Sequence, residues 1–292
     1  MPTVSVIIPT HNRPDLIIRA AESVLRQTYT DLELIVVDDG LVNRAQEHIA
    51  SLHDARVRYI AHEKEQGGSA ARNTGIRAAQ GGYIAFLDDD DEWLPNKLEL
   101  QMNAFLNAPS DAGFCFTAVT NCFQHEERAT TVPDGIADYH ELALGYPKGF
   151  LTVTLVVKQH VFRDVGMFDE SLPSHQDPDL IIRISKKYKG LGINQPLVRV
   201  TMTARESIGS NAHRRIAGRE MLLKKYWDEY SVRPRLLARN YFWLGLQYRS
   251  VKDYKKAGSL FSRALRLHLY WRYALHGVMM LGGGFLYRII HR

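Results

Sequence analysis

Residues 83–95 read YIAFLDDDDEWLP, a short apolar run that leads directly into five consecutive acidic residues. The apolar part, Tyr83–Leu87, is as short and as sharply bounded as a buried β-strand should be. The acids at 88–92 would then lie where that strand leaves the sheet, and open α/β sheets bind their ligands at that end of the strands. The stretch therefore predicts a polar site built onto a buried strand, with Trp93 and Pro95 as the cap and start of the next helix.

The crowding of these acids limits what the site can hold. Adjacent carboxylates repel one another, so protons or a cation must neutralise them. Mg²⁺ and Mn²⁺ prefer oxygen ligands and usually accompany a phosphate group. A solvated acidic turn is the simpler alternative, but the position directly after an apolar strand favours a divalent-cation site.

The sequence around this stretch alternates strand and helix. Apolar runs predict earlier strands at 4–9, 32–37 and 57–60 and a later one at 152–157. Four alternations within about the first 90 residues are typical of a parallel sheet with helices on its faces. Polar residues at 10–13, 38–39 and 88–92 would share one sheet edge, which could hold a ligand with a base, a ribose and a diphosphate.

Four motifs follow one another in this part of the chain: PTHNR at 9–13, VDDG at 37–40, GSAARNTG at 68–75 and LDDDDEW at 87–93. In this order and spacing they resemble the family 2 glycosyltransferases. The resemblance is strong over the first 100 residues and looser to about Lys187. It implies the GT-A fold, a Rossmann-like, mostly parallel α/β sheet flanked by helices. It also implies a UDP- or dTDP-linked sugar as donor, Mn²⁺ or Mg²⁺, and inversion at the anomeric carbon.

The resemblance assigns nucleotide-binding roles residue by residue. Asp39 would contact the nucleobase, and Thr10 and Asn12 would lie near the nucleotide. Arg72 and Asn73 would border the nucleotide pocket. Arg72 could instead merely pair with a nearby acid.

The resemblance also places the metal among the acids after the central strand. Asp90 would bind the metal, Asp88 would face the ribose or the metal, and Asp89 belongs to the same cofactor-binding set. Leu41 departs from the pattern, because many relatives have Ser there. Asp38 could be a buried acceptor that holds loops together, and the glycines of 67–75 could serve only helix start and packing.

A second stretch, GMFDESLPSHQDPDL at 166–180, carries the predicted catalytic base. In the family it resembles, a similar turn precedes an acidic pair that opens a helix, and the Asp of that pair is the base. Gln176-Asp177 takes that place here, so Asp177 is the candidate and Asp179 the fallback. A sugar hydroxyl is a poor nucleophile, and a carboxylate must take its proton as it attacks. The alternative is that Asp177 only caps the helix.

Charge divides the chain into two parts. Residues 205–292 contain 18 Lys and Arg against 5 Asp and Glu, whereas residues 1–204 contain 19 against 27. We therefore expect a GT-A domain at 1–204, with a nucleotide-sugar half at 1–100 and an acceptor half at 101–204. The loop at 121–148 would help to choose the acceptor.

The region 205–292 is expected to be basic and helical, with breaks near Arg233-Pro234, 251–253 and Gly282–Gly284. One hairpin at about 237–269 resembles a tetratricopeptide repeat, which cannot bury its own face and should pack on the transferase domain or on another chain. The aromatic and basic segment 268–292 suits an anionic membrane surface. An ordinary helical core with a solvated basic face explains that segment equally well.

The composition indicates in which cellular compartment the protein works and which class of protein it is. A hydrophobic content of 45% is ordinary for a soluble protein, and two cysteines make neither a disulfide framework nor a zinc site. No apolar run suggests a signal peptide or a membrane span. We expect a cytoplasmic location, with the basic tail docking on the inner face of the cytoplasmic membrane.

The sequence thus predicts an inverting, metal-dependent glycosyltransferase that acts on a glycan or lipid-linked acceptor in cell-surface polysaccharide or lipopolysaccharide synthesis. A sugar nucleotidyltransferase is the alternative enzyme, although 10–14 is a poor version of its glycine-rich basic loop. A dinucleotide dehydrogenase is disfavoured because no Gly-x-Gly-x-x-Gly follows the first strand. A non-catalytic nucleic-acid- or membrane-binding module is the alternative from another class, but we expect no nucleic-acid partner.

Overall fold

A computed structural model describes residues 1–145, 150–202 and 211–279 of the chain. It contains two compact units. The first comprises Met1–Glu170 and Gln176–Ala204, and the second comprises Ser171–His175 with Arg205–Arg292. The domain boundary predicted at 204, the glycine break at 282–284 and the ends of the segments 121–148 and 268–292 lie outside the described residues.

In the described part of the first unit, ten strands form one sheet. Their bounds are β1 Val4–Thr10, β2 Leu32–Asp38, β3 Val57–Ala61, β4 Tyr83–Phe86, β5 Glu92–Trp93, β6 Ala112–Cys122, β7 Glu127–Ala129, β8 Gly135–Ala137, β9 Val156–Lys158 and β10 Lys189–Thr201. Along the sheet the order is β3-β2-β1-β4-β9-β6-β10-β5, with β7 beside β6 and β8 beside β10.

The strand directions bring the polar strand exits together. β1 is parallel to β2 and β4, β2 is parallel to β3, and β6 is parallel to β10. The single strand β9 runs antiparallel between β4 and β6, so β4 and β6 point the same way. The carboxyl ends of all these parallel strands therefore meet at one edge of the sheet, as the sequence predicted.

The helices of the first unit cover the sheet. Their bounds are α1 Pro14–Leu25, α2 Gln46–Ala50, α3 Gly68–Ala78, α4 Lys97–Leu106, α5 His140–Leu144, α6 Gln159–Val165 and α7 Gln176–Ser185. Gly67 precedes α3 with a φ of 92°, which favours glycine. A Cβ on Gly75 would lie 2.4 Å from Ile7, so α3 packs directly on β1. Both glycines therefore have structural roles.

Two predicted elements were wrong. The predicted strand at 152–157 begins as a 3₁₀ turn, Thr152–Thr154, and only Val156–Lys158 is a strand. The Thr154 hydroxyl donates to the carbonyl of Leu151 at 2.8 Å, a local bond of the kind that competes with sheet pairing. Trp93 is not a helix cap, because Glu92–Trp93 pairs antiparallel with Val198 and Arg199.

A lysine is buried under this corner of the sheet. Lys97 has no exposed surface, and its Nζ donates to Gln101 Oε1 at 2.6 Å. The ammonium also lies 3.9 Å from the centroid of the Trp93 ring. Burial lowers the pKa of Lys97 to about 7, since no carboxylate compensates for the lost hydration.

Apart from the turn at Ser171–His175, the described part of the second unit is helical, with α8 Ala212–Lys225, α9 Trp227–Ser231, α10 Pro234–Ser250, α11 Tyr254–Leu267 and α12 Trp271–Met279. α10 and α11 form the hairpin, and a Cβ on Gly245 would lie 2.6 Å from the Phe261 ring. α12 packs on this hairpin, with the Phe242 and Tyr273 rings 4.9 Å apart. Within the described residues, no helix combines the length and apolarity that crossing a bilayer requires.

Candidate functional site

Asp88, the first acid of the stretch, pairs with an arginine from α3. Its carboxylate accepts a hydrogen bond from the guanidinium of Arg72, which also lies over the Phe168 ring. Burial lowers the pKa of Arg72, but the charges of Asp88, Asp177 and Asp89 outweigh burial and raise it above its usual value. Arg72 therefore connects the acids after β4 electrostatically with the predicted base.

The next three acids are more enclosed. Asp89 Oδ2 accepts from the Thr10 hydroxyl at 2.8 Å, and burial raises the pKa of Asp89 to about 6. Burial and then the charge of Asp88 raise the pKa of Asp90. The same two causes raise the pKa of Asp91, whose Oδ1 accepts from the backbone N–H of Thr201 at 2.9 Å. The acids thus repel one another, as the sequence implied.

The donor set at this edge fits a hard divalent cation that shares its ligands with a substrate. The side chains of Asp88 and Asp90 are 39% and 31% exposed, whereas that of Asp89 is 8% exposed. In the described ranges, no three His, Cys, Asp or Glu side chains are placed to hold a metal by themselves. Mg²⁺ commonly binds through one or two carboxylates together with water and substrate phosphates, and Asp88 and Asp90 can supply that protein share.

Asp39, at the exit of β2, is buried and hydrogen-bonded. Its carboxylate accepts from the backbone N–H groups of Gln66 and Gly67 at 2.8 and 2.7 Å. His62 Nδ1 lies 2.7 Å from the same carboxylate, and His62 Nε2 lies 3.0 Å from the Thr74 hydroxyl. Asp39 therefore folds the loop before α3 against β2. Sequence reasoning missed His62, because only the folded chain brings a lone histidine after β3 to this carboxylate.

Asp38 and Asn12 organise the neighbouring loop. Asp38 is fully buried and accepts from Gly40 N at 2.9 Å and from Ala45 N and the Tyr59 hydroxyl, both at 2.7 Å. This agrees with the alternative in which Asp38 holds loops together. Asn12 has a φ of 53°, and its Oδ1 accepts from the backbone N–H groups of residues 42 and 43 at 3.1 Å. The nucleotide contact of Asn12 stays a prediction.

Asn73 reaches the turn that leads to α7. It is 3% exposed, and Phe168 N donates to its Oδ1 at 2.9 Å. Its Nδ2 donates to Phe168 O at 3.0 Å and to Glu170 Oε1 at 2.7 Å. These contacts attach α3 to the turn before the predicted base, and they occupy the amide that the sequence placed beside the nucleotide.

Asp177 and Asp179 lie on the first turn of α7 in different surroundings. Asp177 Oδ2 accepts from the backbone N–H of Thr152 at 3.2 Å, and the negative charge of Asp177 helps to raise the pKa of Arg72. Asp179 is fully buried and pairs with Arg183 at 2.8 Å. Arg183 also donates to the carbonyls of residues 165–167. Asp179 is therefore a structural residue, which leaves Asp177 as the candidate base.

Solved structures share this fold. TarS from S. aureus in complex with UDP-GlcNAc has a TM-score of 0.64 and 16% identity, over 99% of this chain and 92% of that chain. The mannosyltransferase PcManGT from Pyrobaculum calidifontis, in complex with GDP-Man and Mn²⁺, has a TM-score of 0.59 and 17% identity, over 96% and 84%. Both likenesses support the GT-A fold that the motifs implied.

Curated relatives are similar to this chain in sequence. The putative colanic acid biosynthesis glycosyl transferase WcaA of Escherichia coli (strain K12) is 34% identical over 64% of this chain and 67% of its own length. The amylovoran biosynthesis glycosyltransferase AmsB of Erwinia amylovora is 30% identical over 82% and 80%. In several further relatives the match spans between 27% and 43% of the relative's length.

The family model described as glycosyl transferase family 2 matches residues 5–163. That range contains all four motifs at the sheet edge, from Pro9 to Trp93, together with the turn at Thr152 that binds the predicted base. The chain belongs to glycosyl transferase family 2.

Proposed function

We propose that this chain is a metal-dependent, inverting enzyme that transfers a sugar from a nucleotide-diphosphate sugar to a hydroxyl of a glycan or lipid-linked acceptor. The observation that carries the proposal is the position of Arg72. It pairs with Asp88 and is within electrostatic reach of Asp177. The guanidinium of Arg72 thus interacts both with the acids expected at the donor diphosphate and with the carboxylate expected at the acceptor hydroxyl.

Asp88 and Asp90 would hold Mn²⁺ or Mg²⁺ together with the diphosphate of the donor. A bound divalent ion would stabilise the charge that develops on the leaving nucleoside diphosphate. Arg13 lies at 3.5 Å from Asp90 and at 3.3 Å from Asp89, so it can orient both carboxylates. The arrangement of two partly exposed acids beside two buried ones supports this division of roles.

Asp177 would accept the proton of the attacking hydroxyl. Two other acids near it already have partners: Asp179 pairs with Arg183, and Glu170 accepts a hydrogen bond from the Asn73 amide. Among the carboxylates that the structure describes here, Asp177 is the proposed base and none is assigned as a nucleophile, which supports one displacement and hence inversion. Asn73 would position this base indirectly, through the turn at Phe168.

The biological setting follows from the relatives. Two of them are named for colanic acid and amylovoran biosynthesis, and we assign this chain to the synthesis of a cell-surface polysaccharide or lipopolysaccharide. A UDP- or dTDP-linked sugar is the proposed donor, because TarS, which shares the fold, has been solved with UDP-GlcNAc. The reaction would take place in the cytoplasm, at the inner face of the membrane that holds a lipid-linked acceptor.

The second unit offers a surface for that membrane. Large apolar side chains are exposed where α11 meets α12, among them Leu269 at 92% and Trp271 at 67%. Exposed arginines, Arg266 and Arg272, lie in the same stretch. Aromatic and basic side chains together suit an anionic headgroup layer.

Flotation with phosphatidylglycerol vesicles tests this docking. Flotation should weaken in a Leu269→Ala/Trp271→Ala variant and not in Leu106→Ala, whose exposed leucine lies in the first unit. Equal flotation of all three proteins would refute the docking.

Donor binding is the direct test of the proposed activity. A thermal-shift screen of UDP-, dTDP- and GDP-sugars should show stabilisation by one nucleotide class, and that stabilisation should require Mn²⁺ or Mg²⁺ because the cation bridges acids and diphosphate. The selected donor should then be hydrolysed slowly in the absence of an acceptor. A protein that responds to none of these donors in either metal would contradict the proposal.

A further inference from the structure

We infer that a groove beside the acidic stretch binds the sugar of the acceptor, an inference that rests on the proposed function. This acceptor groove is lined by the β6–β7 turn at 122–126, by Arg19 of α1, and by Thr201 and Met202. Its volume is about 870 Å³, within the range of about 300–1,000 Å³ that ligand pockets commonly have. It lies wholly within the first unit.

The groove opens at the same sheet edge as the acids. Cys122 ends β6 and Thr201 ends β10, and these two residues are partners in the parallel register of the two strands. Both strands run in the direction of β4, whose exit carries Asp88. A ligand in the groove would therefore lie over the β6–β10 part of the edge, beside the part that would hold the donor.

Hydrogen bonds join the wall of the groove to the proposed metal loop. The Thr201 hydroxyl donates to the carbonyl of Asp90 at 2.6 Å, and Arg19 donates to the same carbonyl at 2.6 Å. The backbone N–H of Thr201 donates to Asp91 at 2.9 Å. The groove and the acids are thus one connected structure, so a ligand in the groove would lie next to the proposed metal loop.

The groove combines apolar side chains with charged and neutral polar ones, Arg19 and Glu126 included, and this combination suits a hydroxylated ligand. Phe123 and Met202 are 37% and 46% exposed and offer apolar surface. Arg128 lies over the Phe123 ring at 5.5 Å, which orients the ring. Gln124 and His125 are exposed donors and acceptors on the same turn. A sugar ring has an apolar C–H face and a rim of hydroxyls, and it would place the first on Phe123 and the second on the polar side chains.

The test fills the groove in the full chain and follows both substrates. Cys122→Trp adds a large side chain at the groove, and Gln80→Trp adds the same side chain at an exposed position before β4, at the opposite sheet edge. Each protein is measured for UDP affinity with Mn²⁺ and for hydrolysis of UDP-glucose, UDP-galactose and UDP-GlcNAc. Transfer to p-nitrophenyl glycosides of glucose, galactose and N-acetylglucosamine is the third readout.

In Cys122→Trp we expect transfer to the glycosides to fall at least about tenfold, with UDP affinity and donor hydrolysis within about twofold of wild type. Gln80→Trp should transfer normally. As a milder change, Phe123→Ala should raise the KM for the glycoside by about fivefold or more without weakening UDP binding, since it removes only the surface under the sugar.

Normal transfer by Cys122→Trp would overturn the inference, and so would a loss of UDP affinity as large as the loss of transfer. Donor hydrolysis by the wild-type protein without transfer to any glycoside would also count against a carbohydrate at this groove. The proposed function itself fails only if the wild-type protein binds no UDP-, dTDP- or GDP-sugar and hydrolyses none of them, so the two failures are distinguishable.

Discussion

The side chain of Asn73 is hydrogen-bonded at both ends to the backbone of Phe168, with Phe168 N donating to Oδ1 at 2.9 Å and Nδ2 donating to Phe168 O at 3.0 Å. The two residues are 95 positions apart in the chain. The contact attaches α3, which carries Arg72, to the turn that leads into α7 and Asp177. One amide therefore connects the helix that carries Arg72 with the turn before the predicted base.

Replacing Asn73 should affect catalysis more than nucleotide binding. In Asn73→Asp, the donor to the carbonyl of Phe168 and to Glu170 is lost, and a carboxylate faces Glu170 instead. We expect kcat to fall about 10- to 100-fold, because misplacement of a base by about 1 Å has such effects. UDP affinity in the presence of Mn²⁺ should change less than about threefold.

The opposite pattern would show that Asn73 contacts the nucleotide, as the sequence motif implied. Weak UDP binding with a normal kcat at saturating donor is that pattern. Asn73→Ser, which retains a small polar group but spans a shorter distance, should lie between the wild-type protein and Asn73→Asp in kcat.

Asp177 is expected to act in the chemical step. Asp177→Asn retains an oxygen acceptor for the N–H of Thr152 but cannot take a proton. Transfer should fall about 10²- to 10⁴-fold, the usual contribution of a positioned base, while UDP affinity and thermal stability stay close to wild type. Enzyme kinetics with calorimetry and a melting curve would measure all three.

Asp179→Asn provides the matched control two residues away. It removes the fully buried carboxylate that pairs with Arg183, whose side chain is 18% exposed, and breaking a buried ion pair costs up to about 3–5 kcal/mol of the free energy of unfolding. We expect a clear fall in the melting temperature there and none in Asp177→Asn. Full transfer activity in Asp177→Asn would exclude it as the base.

Asp90 is expected to bind the metal. Chelation by EDTA should weaken UDP binding to the wild-type protein, and Asp90→Asn should bind UDP weakly whether or not Mn²⁺ is present, because the cation loses a charged ligand. Without metal, Asp90→Asn should melt slightly higher than wild type, since one repulsive charge beside Asp88 is gone.

Asp91→Asn is the control for that experiment, because the amide oxygen can still accept from the N–H of Thr201. Its UDP binding should remain as sensitive to EDTA as that of the wild-type protein. An Asp90→Asn variant with the same EDTA sensitivity would move the metal to another residue.

The strand exits could be predicted because local sequence determines them. An apolar run followed by acids describes both the burial of β4 and the end of the strand, and Pro14 marks the start of α1. The family resemblance added an expected role for each acid at these strand exits. Each of these features is encoded within a few residues of the position it concerns.

Other features depend on partners that are distant in sequence. The short strand at Glu92–Trp93 exists only because Val198 and Arg199 lie beside it, so local patterns predicted a helix start. The nucleobase contact of Asp39 stays a prediction, and its bonds to His62 and to the backbone at 66–67 could not be read from the local sequence. The acceptor groove likewise takes shape only when Arg19 and Thr201 are brought to the turn at 122–126.

Lys97 should make stability depend on pH in the alkaline range. Its pKa is about 7 in the folded protein and about 10.4 in the unfolded chain. Between these values the unfolded chain binds more protons, so the free energy of unfolding rises with pH, and the cost of burying the amine is largest below pH 7. We expect Lys97 to contribute a rise of about 2–4 kcal/mol in the free energy of unfolding between pH 7 and pH 10.

Lys97→Met should remove that rise, whereas Lys64→Met, at an exposed position, should leave the slope unchanged. Urea unfolding at several pH values measures the slopes, and parallel curves for wild type and Lys97→Met would show that the buried amine keeps its proton.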